Sequence, residues 1–193
     1  MFAPPSPLRT PRTPVQRGFT VIELMVVVAI LAILVALAAP SFTPLIERWR
    51  VRQAVEGLQS SIYYARSEAI KRGGNVILEK IPNNTNGCTT ATGVNDWDCG
   101  WRVCADANKN NSCQASEILQ RFDTSANLQV TRKIDGARIE FDRWGKIVGP
   151  LGFSFSLVPY DKGTSNPAAR GLCMNSGGRI RVTSDPLDIP CTN

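Results

Sequence analysis

One continuous apolar run, residues 19–39, constrains the fold of this chain more than any other feature. It contains a single charged residue, Glu23, close to its start. At about 1.5 Å per residue, a helix of this length spans roughly 31 Å, which matches the hydrocarbon core of a bilayer. A carboxylate inside hydrocarbon costs at least ~2.5 kcal/mol on insertion scales, so Glu23 requires a partner of opposite charge. The run therefore predicts a transmembrane helix whose carboxylate is neutralised by a charge from elsewhere.

Two simpler interpretations of this run remain open: a plain membrane anchor, or a secretory signal that is removed. The signal interpretation has an apolar centre at 26–37 and an A-x-A site at 36–38. Its positive leader carries Arg9, Arg12 and Arg17. Glu23 inside the run and Pro40 just after the A-x-A site count against it, because neither suits a signal peptide. All three interpretations place the domain after Pro40 outside the cytoplasm.

The residues around Gly18 resemble the recognition site of type IV prepilin peptidases, which cut after the glycine and methylate the new N-terminus. Phe19, Thr20 and Glu23 match that motif position for position. In that family the glutamate neutralises the terminal amine of the neighbouring subunit as the filament assembles. The resemblance implies a leader at 1–18, a mature chain that begins at Phe19, and two kinds of partner: the peptidase and other pilin subunits.

The remaining chain is long enough for one exported domain. Of 193 residues, about 120 to 130 are left for a single fold after the leader and a helix largely outside the core. The net charge is +6, from 22 Lys and Arg against 16 Asp and Glu. Three of the cations lie in the leader, so the mature chain has an excess of only three. This mild excess permits a polyanionic partner without requiring one.

Six cysteines, all beyond Gly18, fit an oxidising compartment and can pair completely. Sequence alone leaves many connectivities open. The grouping of the cysteines favours pairing with the nearest neighbour: Cys88 with Cys99, Cys104 with Cys113, and Cys173 with Cys191. A zinc site has little support, because the chain contains no histidine and no C-x-x-C motif.

A helical pattern continues beyond the apolar run. Apolar residues recur at spacings of three and four from Leu45 to Ala69, while charged residues occupy the other faces. We therefore predict one long N-terminal helix over 19–72, with a transmembrane half at 19–39 and an amphipathic second half. Pro40 is the predicted kink. The pair Gly73–Gly74, after Lys71 and Arg72, is a typical helix stop.

After Gly74 the pattern becomes that of strands. Short β-rich runs separated by polar turns occur at 75–81, 101–105, 118–122, 128–131, 138–141 and 153–158. The last of these alternates, which predicts one buried and one wet face. A long helix followed by strands indicates an α+β fold in which an antiparallel sheet at 73–193 packs against the helix.

Two further segments resemble the GspH/FimT family of minor pilins and pseudopilins. The first is a hairpin signature made of Trp97, Gly100, Trp101, Val103, Asp106, Asn108, Asn110, Glu117, Ile118 and Leu119. The second is the tail, 173–191, which contains Cys173, Asn175, Gly178, Arg179, Arg181 and Cys191. The resemblance implies a type IV pilin-like fold. In FimT-type members the tail is implicated in binding DNA during natural transformation.

The tail residues also suggest phosphate binding by themselves. Arg179 and Arg181 are two positions apart, so both guanidinium groups face the same side of an extended segment. Each offers a planar fork of donors to phosphate oxygens. Gly178, with Gly177 before it, would let a polyanion approach the backbone, and Arg170 and Lys162 would extend the patch if their loop folds beside it. The alternative is a solvated strand face on which Asp185 or Asp188 pairs with the arginines.

Other chemistry has less support in the sequence. From Asp106 to Glu117 the acidic and amide residues fit the ligand spacing of an EF-hand loop. Asx-rich turns commonly produce such spacing, and Cys113 inside the loop favours a disulfide-pinned hairpin. Without histidine, a phosphate-binding glycine loop or a serine elbow, we predict no enzyme and no cofactor.

Two functions follow from these observations. The first is a minor type IV pilin that binds DNA without sequence preference during DNA uptake. The second is a structural subunit, either a pseudopilin of a type II secretion system or a minor pilin that primes assembly. In both, we expect a single-pass inner-membrane protein with a periplasmic C-terminal domain, which then enters a filament or reaches the cell surface.

Overall fold

Residues 18–38, 42–134, 136–149, 152–175 and 177–191 are described by a computed structural model. They fall into two compact units, Met1–Phe42 and Thr43–Asn193. All buried hydrophobic side chains among the described residues belong to the second unit, from Val51 onward. The second unit therefore has a core of its own.

In the first unit, helix α1 spans Val21–Ala38. Thr20 caps its start: its hydroxyl accepts a hydrogen bond from the Glu23 N–H at 3.3 Å, and its carbonyl accepts one from the Leu24 N–H at 3.2 Å. Glu23 thus lies in the first helical turn. No helix within the described ranges is both long and apolar enough to cross a membrane. The leader up to residue 17 and the predicted kink at Pro40 lie outside the described residues.

Helix α2 spans Thr43–Arg72 and is amphipathic, as its sequence pattern predicts. The buried stripe contains Val51, Ala54, Val55, Leu58, Ser61, Ile62, Ala65, Glu68 and Ala69. The helix ends at the predicted glycine pair, where Gly73 and Gly74 have φ values of 78° and 107°. The Gly74 N–H closes the end by donating to the Ala69 carbonyl at 2.7 Å.

Eight strands form two antiparallel sheets in the described part of the second unit. The strands are β1 (Val76–Lys80), β2 (Trp101–Ala105), β3 (Ile118–Phe122), β4 (Leu128–Arg132), β5 (Arg138–Phe141), β6 (Phe153–Pro159), β7 (Arg170–Met174) and β8 (Ile180–Thr183). The first sheet has the order β3-β2-β1-β5 and the second the order β4-β6-β7-β8. The first six strands lie at the predicted positions.

Helix α2 covers both sheets and contacts β1, β2, β5, β6 and β7. Four aromatic side chains, Trp97, Trp101, Phe141 and Phe155, are fully buried in this core. Trp101 links the layers, because its ring stacks on Phe122 at 4.6 Å and its indole N–H donates to the Ser61 hydroxyl of α2 at 2.9 Å. The structure is the α+β arrangement of helix and antiparallel sheets that the sequence predicts.

The prediction of a wet face on β6 is wrong. Ser154, on the face expected to be exposed, is only 6% exposed. Strand β6 lies between β4 and β7 in the middle of its sheet. On β7, a Cβ at Gly171 would lie 3.3 Å from Ile189, so the C-terminal tail covers the outer face there. A segment distant in sequence therefore covers this face of the sheet at Gly171, the residue that pairs with Ser156.

The cysteines pair with their nearest neighbours in the structure. The pairs are Cys88–Cys99, Cys104–Cys113 and Cys173–Cys191. The first two close loops beside the first sheet, and the third ties the C-terminal tail to β7. This last pair sets the position of the segment that carries Arg179 and Arg181.

Candidate nucleic-acid interface

The tail is a hairpin of β7 and β8 whose turn is organised by Asn175. The Asn175 side-chain oxygen accepts a hydrogen bond from the Arg179 N–H at 2.9 Å. The Asn175 carbonyl accepts one from the Gly178 N–H at 2.9 Å, and its own N–H donates to the Arg179 carbonyl at 3.2 Å. These bonds fix the backbone of Arg179 while its side chain is exposed.

Arg179 and Arg181 line one cavity of about 480 Å³. Lys133, which directly follows β4, lines it as well, together with Asn175 and the disulfide-bonded Cys173 and Cys191. Lys133 is exposed, and its N–H donates to the Ser154 carbonyl at 2.9 Å. Lys133 could not be identified from sequence spacing, because it lies far from the tail in sequence and only the pairing of β4 with β6 brings it there.

The two arginines differ in their surroundings. Arg181 forms a two-point ion pair with Asp188, at 2.7 Å and 3.3 Å. No ion pair of Arg179 occurs among the residues described. Arg181 therefore follows the alternative interpretation, in which Asp188 pairs with an arginine of the tail. Arg179 is the cation of the two that is more available to bind a phosphate.

Lys162 and Arg170 do not join this cavity. The Lys162 ammonium pairs with Glu47 at 2.6 Å near the start of α2, whereas the tail touches α2 at Arg66. The two points are separated by roughly 28 Å along the helix. Arg170 donates to the carbonyls of Pro167 and Ala169, at 3.1 Å and 2.6 Å. It is three positions from Cys173 and so faces the opposite side of β7. The expected extension of the patch by these residues is therefore wrong.

Gly178 packs against the protein and is not open to a polyanion. Its carbonyl accepts a hydrogen bond from the Arg66 guanidinium at 2.8 Å, and it is buried with a φ of 83°. A Cβ at this position would lie 2.8 Å from another Arg66 nitrogen. Glycine is favoured here by the positive φ, and the Arg66 guanidinium occupies the space that a side chain would enter. The expectation that Gly178 admits DNA to the backbone is corrected accordingly.

The loop after Asp106 forms Asx turns. The Asp106 carboxylate accepts hydrogen bonds from the N–H groups of Asn110 and Asn111, at 3.1 Å and 2.8 Å. The Glu117 carboxylate accepts from Ala107 and Gln114, both at 3.2 Å. The EF-hand-like spacing is thus used for internal turns of a disulfide-closed loop. Within the described ranges, no group of three or more acidic or cysteine side chains is arranged to hold a metal.

A separate buried charge lies between the sheets at Asp98. Its carboxylate accepts a hydrogen bond from the Val130 N–H at 2.6 Å and is 6% exposed. Burial raises the pKa of Asp98 to about 6, although the Val130 hydrogen bond acts in the other direction. Burial also lowers the pKa of the nearby Lys80, against the attraction of Asp96 and Asp98. This region affects stability rather than the tail cavity.

Comparisons with known proteins agree with the fold and the N-terminal motif. Residues 54–178 match the family described as Type II transport protein GspH. The chain belongs to the GspH family. Residues 14–39 match the prokaryotic N-terminal methylation motif. Together with pilin relatives, these matches identify a GspH/FimT-type minor type IV pilin or pseudopilin.

Several curated pilins are similar to this GspH-family chain. A fimbrial protein of Pseudomonas aeruginosa is 33% identical over 128 residues, which cover 63% of this chain and 82% of the relative. The pilin-like protein PilA1 of Thermus thermophilus is 28% identical over 86% of this chain and 90% of its own length. A crystal structure of the P. aeruginosa type IV minor pilin FimU has a TM-score of 0.55 at 23% identity. It covers 70% of this chain and 90% of that chain, and shows the shared fold.

Family membership gives the general role. GspH-family proteins are structural pilins, so this chain interacts with other pilin subunits. The methylation motif and the family together indicate a membrane-anchored pilus subunit. The finer role depends on what the exposed surface of the second unit binds.

Proposed function

We propose that this GspH-family subunit is a minor type IV pilin that binds DNA through its phosphates during natural transformation. Arg179 and Lys133 are the proposed contacts, with Arg181 as a third cation once its ion pair opens. We also infer that prepilin peptidase cuts after Gly18 and methylates Phe19, and that the subunit is held in the inner membrane by a single span before assembly.

The observation that carries the DNA proposal is the exposure of Arg179 on the rim of the tail cavity. Asn175 fixes its backbone, so less conformational entropy is lost when the side chain meets a phosphate. Lys133 lines the same cavity from another strand, which brings a second cation to the surface. Contacts of this kind bind phosphates and give no specificity for particular bases.

The Arg181–Asp188 pair does not prevent phosphate binding. The Arg181 side chain is 50% exposed, and exposed ion pairs contribute only about 0–1 kcal/mol. A phosphate offers the same bidentate geometry as a carboxylate, so Arg181 can exchange one partner for the other at small cost. Asp188 nevertheless lowers the local positive potential and would weaken binding at the rim.

The same ion pair favours a second candidate, a structural subunit that binds no DNA. In this function the chain is a pseudopilin of a type II secretion system or a minor pilin that primes assembly. Asp188 neutralises Arg181, while Lys162 and Arg170 are held elsewhere. The tail would then serve only to close the second sheet.

Fluorescence anisotropy with labelled duplex DNA of two unrelated sequences distinguishes these functions. For each phosphate contact, log K should fall by about 0.9 per log unit of salt. Arg179→Gln and Lys133→Gln should each lower affinity equally for both sequences and reduce the salt slope by about 1. Lys162→Gln is the matched control, because it removes an exposed cation whose partner, Glu47, lies roughly 28 Å along α2 from Arg66, and it should change neither quantity.

Two results would favour the structural function. One is equal affinity of the wild type and the Arg179→Gln/Arg181→Gln double variant at low salt. The other is a loss of affinity in Lys162→Gln as large as that in Arg179→Gln, because binding would then follow total charge and not the tail cavity.

A further inference from the structure

Trp144 is a large aromatic side chain that is exposed to solvent on a hydrogen-bonded turn. It is 72% exposed and lies between β5 and β6. The Asp142 carboxylate accepts hydrogen bonds from the Trp144 and Lys146 N–H groups, at 2.9 Å and 2.8 Å. The Asp142 carbonyl also accepts from the Gly145 N–H at 2.9 Å. The turn therefore presents the indole ring on a fixed backbone.

Arg66 places this turn beside the tail. Its guanidinium donates from Nε to the Gly145 carbonyl at 2.9 Å and from Nη1 to the Gly178 carbonyl at 2.8 Å. Because one planar fork reaches both carbonyls, the two oxygens are at most about 8 Å apart. Trp144 directly precedes Gly145 and Arg179 directly follows Gly178, so the backbones of Trp144 and Arg179 lie within roughly 16 Å of one another.

The surroundings of Trp144 are rich in cations. Arg143 and Lys146 flank it, both are exposed, and neither has an ion pair in the described part of the chain. Gly74, just after α2, also lies against this turn, since a Cβ there would lie 3.3 Å from the backbone nitrogen of Arg143. The last turn of α2 carries Lys71 and Arg72, which share the single carboxylate of Glu68.

We propose that Trp144 is a stacking platform for an unpaired base and that the subunit therefore prefers single-stranded DNA to duplex DNA. The inference rests on the proposed phosphate binding at Arg179 and names the form of DNA that this surface takes. An exposed aromatic ring among cations is the combination that binds single strands, because phosphates meet the cations while a base stacks on the ring. Paired bases in a duplex have both faces covered and cannot stack on it.

Ile70 offers the same turn a second kind of contact. It is 59% exposed, and its side chain lies against Gly145. With Trp144 it would form a small apolar contact for a neighbouring pilin subunit. The cations on both sides of Trp144 favour a nucleic acid over such a contact, and the experiment separates the two.

The test uses the full-length chain in neutral detergent with two labelled probes, an oligo(dT) and a closed hairpin duplex, each of about 12 nucleotides or base pairs. Trp144→Ala should weaken oligo(dT) binding by about 5- to 100-fold and leave duplex binding unchanged. Its salt slope should equal that of the wild type, because no phosphate contact is lost. Trp144→Phe should retain most of the affinity, since it keeps an aromatic face.

Trp49→Ala is the matched control, because Trp49 is 62% exposed on α2 but roughly 25 Å along the helix from Arg66. It should bind both probes like the wild type. Oligo(dT) should quench tryptophan fluorescence in the wild type and in Trp49→Ala, but not in Trp144→Ala.

The outcomes separate this inference from the proposed function. A wild type that binds neither probe at low salt would remove the phosphate-binding function itself. A wild type that binds both probes, with Trp144→Ala altering neither or lowering both equally, would overturn base stacking and leave phosphate binding in place. Unchanged DNA binding together with poorer filament entry of Trp144→Ala would assign the turn to subunit contact.

Discussion

The guanidinium of Arg181 donates to both oxygens of the Asp188 carboxylate, from Nη1 at 2.7 Å and from Nη2 at 3.3 Å. Arg181 lies on β8, and Asp188 ends the short 3-10 turn Pro186–Asp188 that follows it. The tail thus supplies its own anion to one of its two arginines. Because Asp188 neutralises Arg181, a single substitution at Asp188 should make the tail cavity more positive.

Asp188→Asn should strengthen DNA binding. Removing the carboxylate frees Arg181 for a phosphate, so the affinity should rise at low salt and the salt slope should steepen by about 1. The Arg181 side chain is 50% exposed, so we expect the loss of this ion pair to lower the free energy of unfolding by about 1 kcal/mol. Fluorescence anisotropy across a salt series measures both effects. Asp123→Asn, which breaks the exposed Arg121–Asp123 pair on the other sheet, is the control. Weaker binding by Asp188→Asn would contradict a role for Arg181.

The Cys173–Cys191 disulfide should stabilise the tail and its cation geometry. Its ring spans a sequence separation of 18, for which loop entropy predicts about 3 kcal/mol. Replacing both cysteines by serine should speed amide exchange in β8 and weaken DNA binding, while β1 remains protected. The Cys104/Cys113→Ser variant removes a disulfide beside the other sheet and should leave DNA affinity unchanged. Peptide mapping that joins Cys173 to a different cysteine would remove the basis of this prediction.

Local patterns were sufficient to predict most of the fold. The spacing of apolar residues and Gly73–Gly74 marked the course and the end of α2, and six strands followed from β-rich runs between polar turns. β7 and β8 were not predicted as a strand pair, because Gly171 and the polar residues of the tail interrupt any alternation. Their pairing depends on the disulfide and on β6, both set by distant parts of the chain.

The site was harder to predict because its contacts are long-range. The two arginines could be identified from their spacing, but the Asp188 pair was only one of two options. Arg66 is 112 residues before Gly178, and its position off the apolar stripe of α2 gives no hint of this partner. Lys133 likewise reaches the cavity only through sheet pairing. Sequence spacing can identify residues with the right chemistry, but tertiary contacts decide which remain available.

Asp98 should make the folded state less stable as the pH rises from about 4 to about 7. Burial raises its pKa to about 6 in the folded protein, above the ordinary value of 3.8, so the folded state binds more protons in this window. Asp98→Asn keeps an oxygen for the Val130 N–H and removes the charge. It should raise the free energy of unfolding at pH 7.5 by about 1 to 3 kcal/mol and have little effect near pH 4. Urea denaturation at the two pH values measures this difference.

Glu68→Gln is the comparison of opposite sign. The hydrogen bond from Arg72, with Lys71 nearby, lowers the pKa of Glu68, although burial acts against it. Its stabilising effect is present above the ordinary pKa of a glutamate and is lost as the pH falls through the lower folded value. Glu68→Gln should therefore destabilise the protein at pH 7.5.

The Asp98 prediction has its own contradicting result. An unfolding free energy of Asp98→Asn below that of the wild type at pH 7.5 would show that the buried charge of Asp98 does not destabilise the folded state.

Processing after Gly18 should give a mature chain that begins at an N-methylated Phe19, with Glu23 required for assembly. Glu23→Ala removes the proposed partner of a neighbour's terminal amine and makes α1 more apolar, so the protein should remain in the membrane fraction but enter filaments poorly.

Thr20→Val, which removes the capping hydroxyl at the start of α1 but keeps the carboxylate, should affect filament entry less. Intact-mass analysis reads the N-terminus directly, and shearing of filaments followed by immunoblotting measures assembly. A mature N-terminus at Ala39 or Pro40 would instead indicate a secreted domain without an anchor, and normal filament entry of Glu23→Ala would remove the role given to its carboxylate.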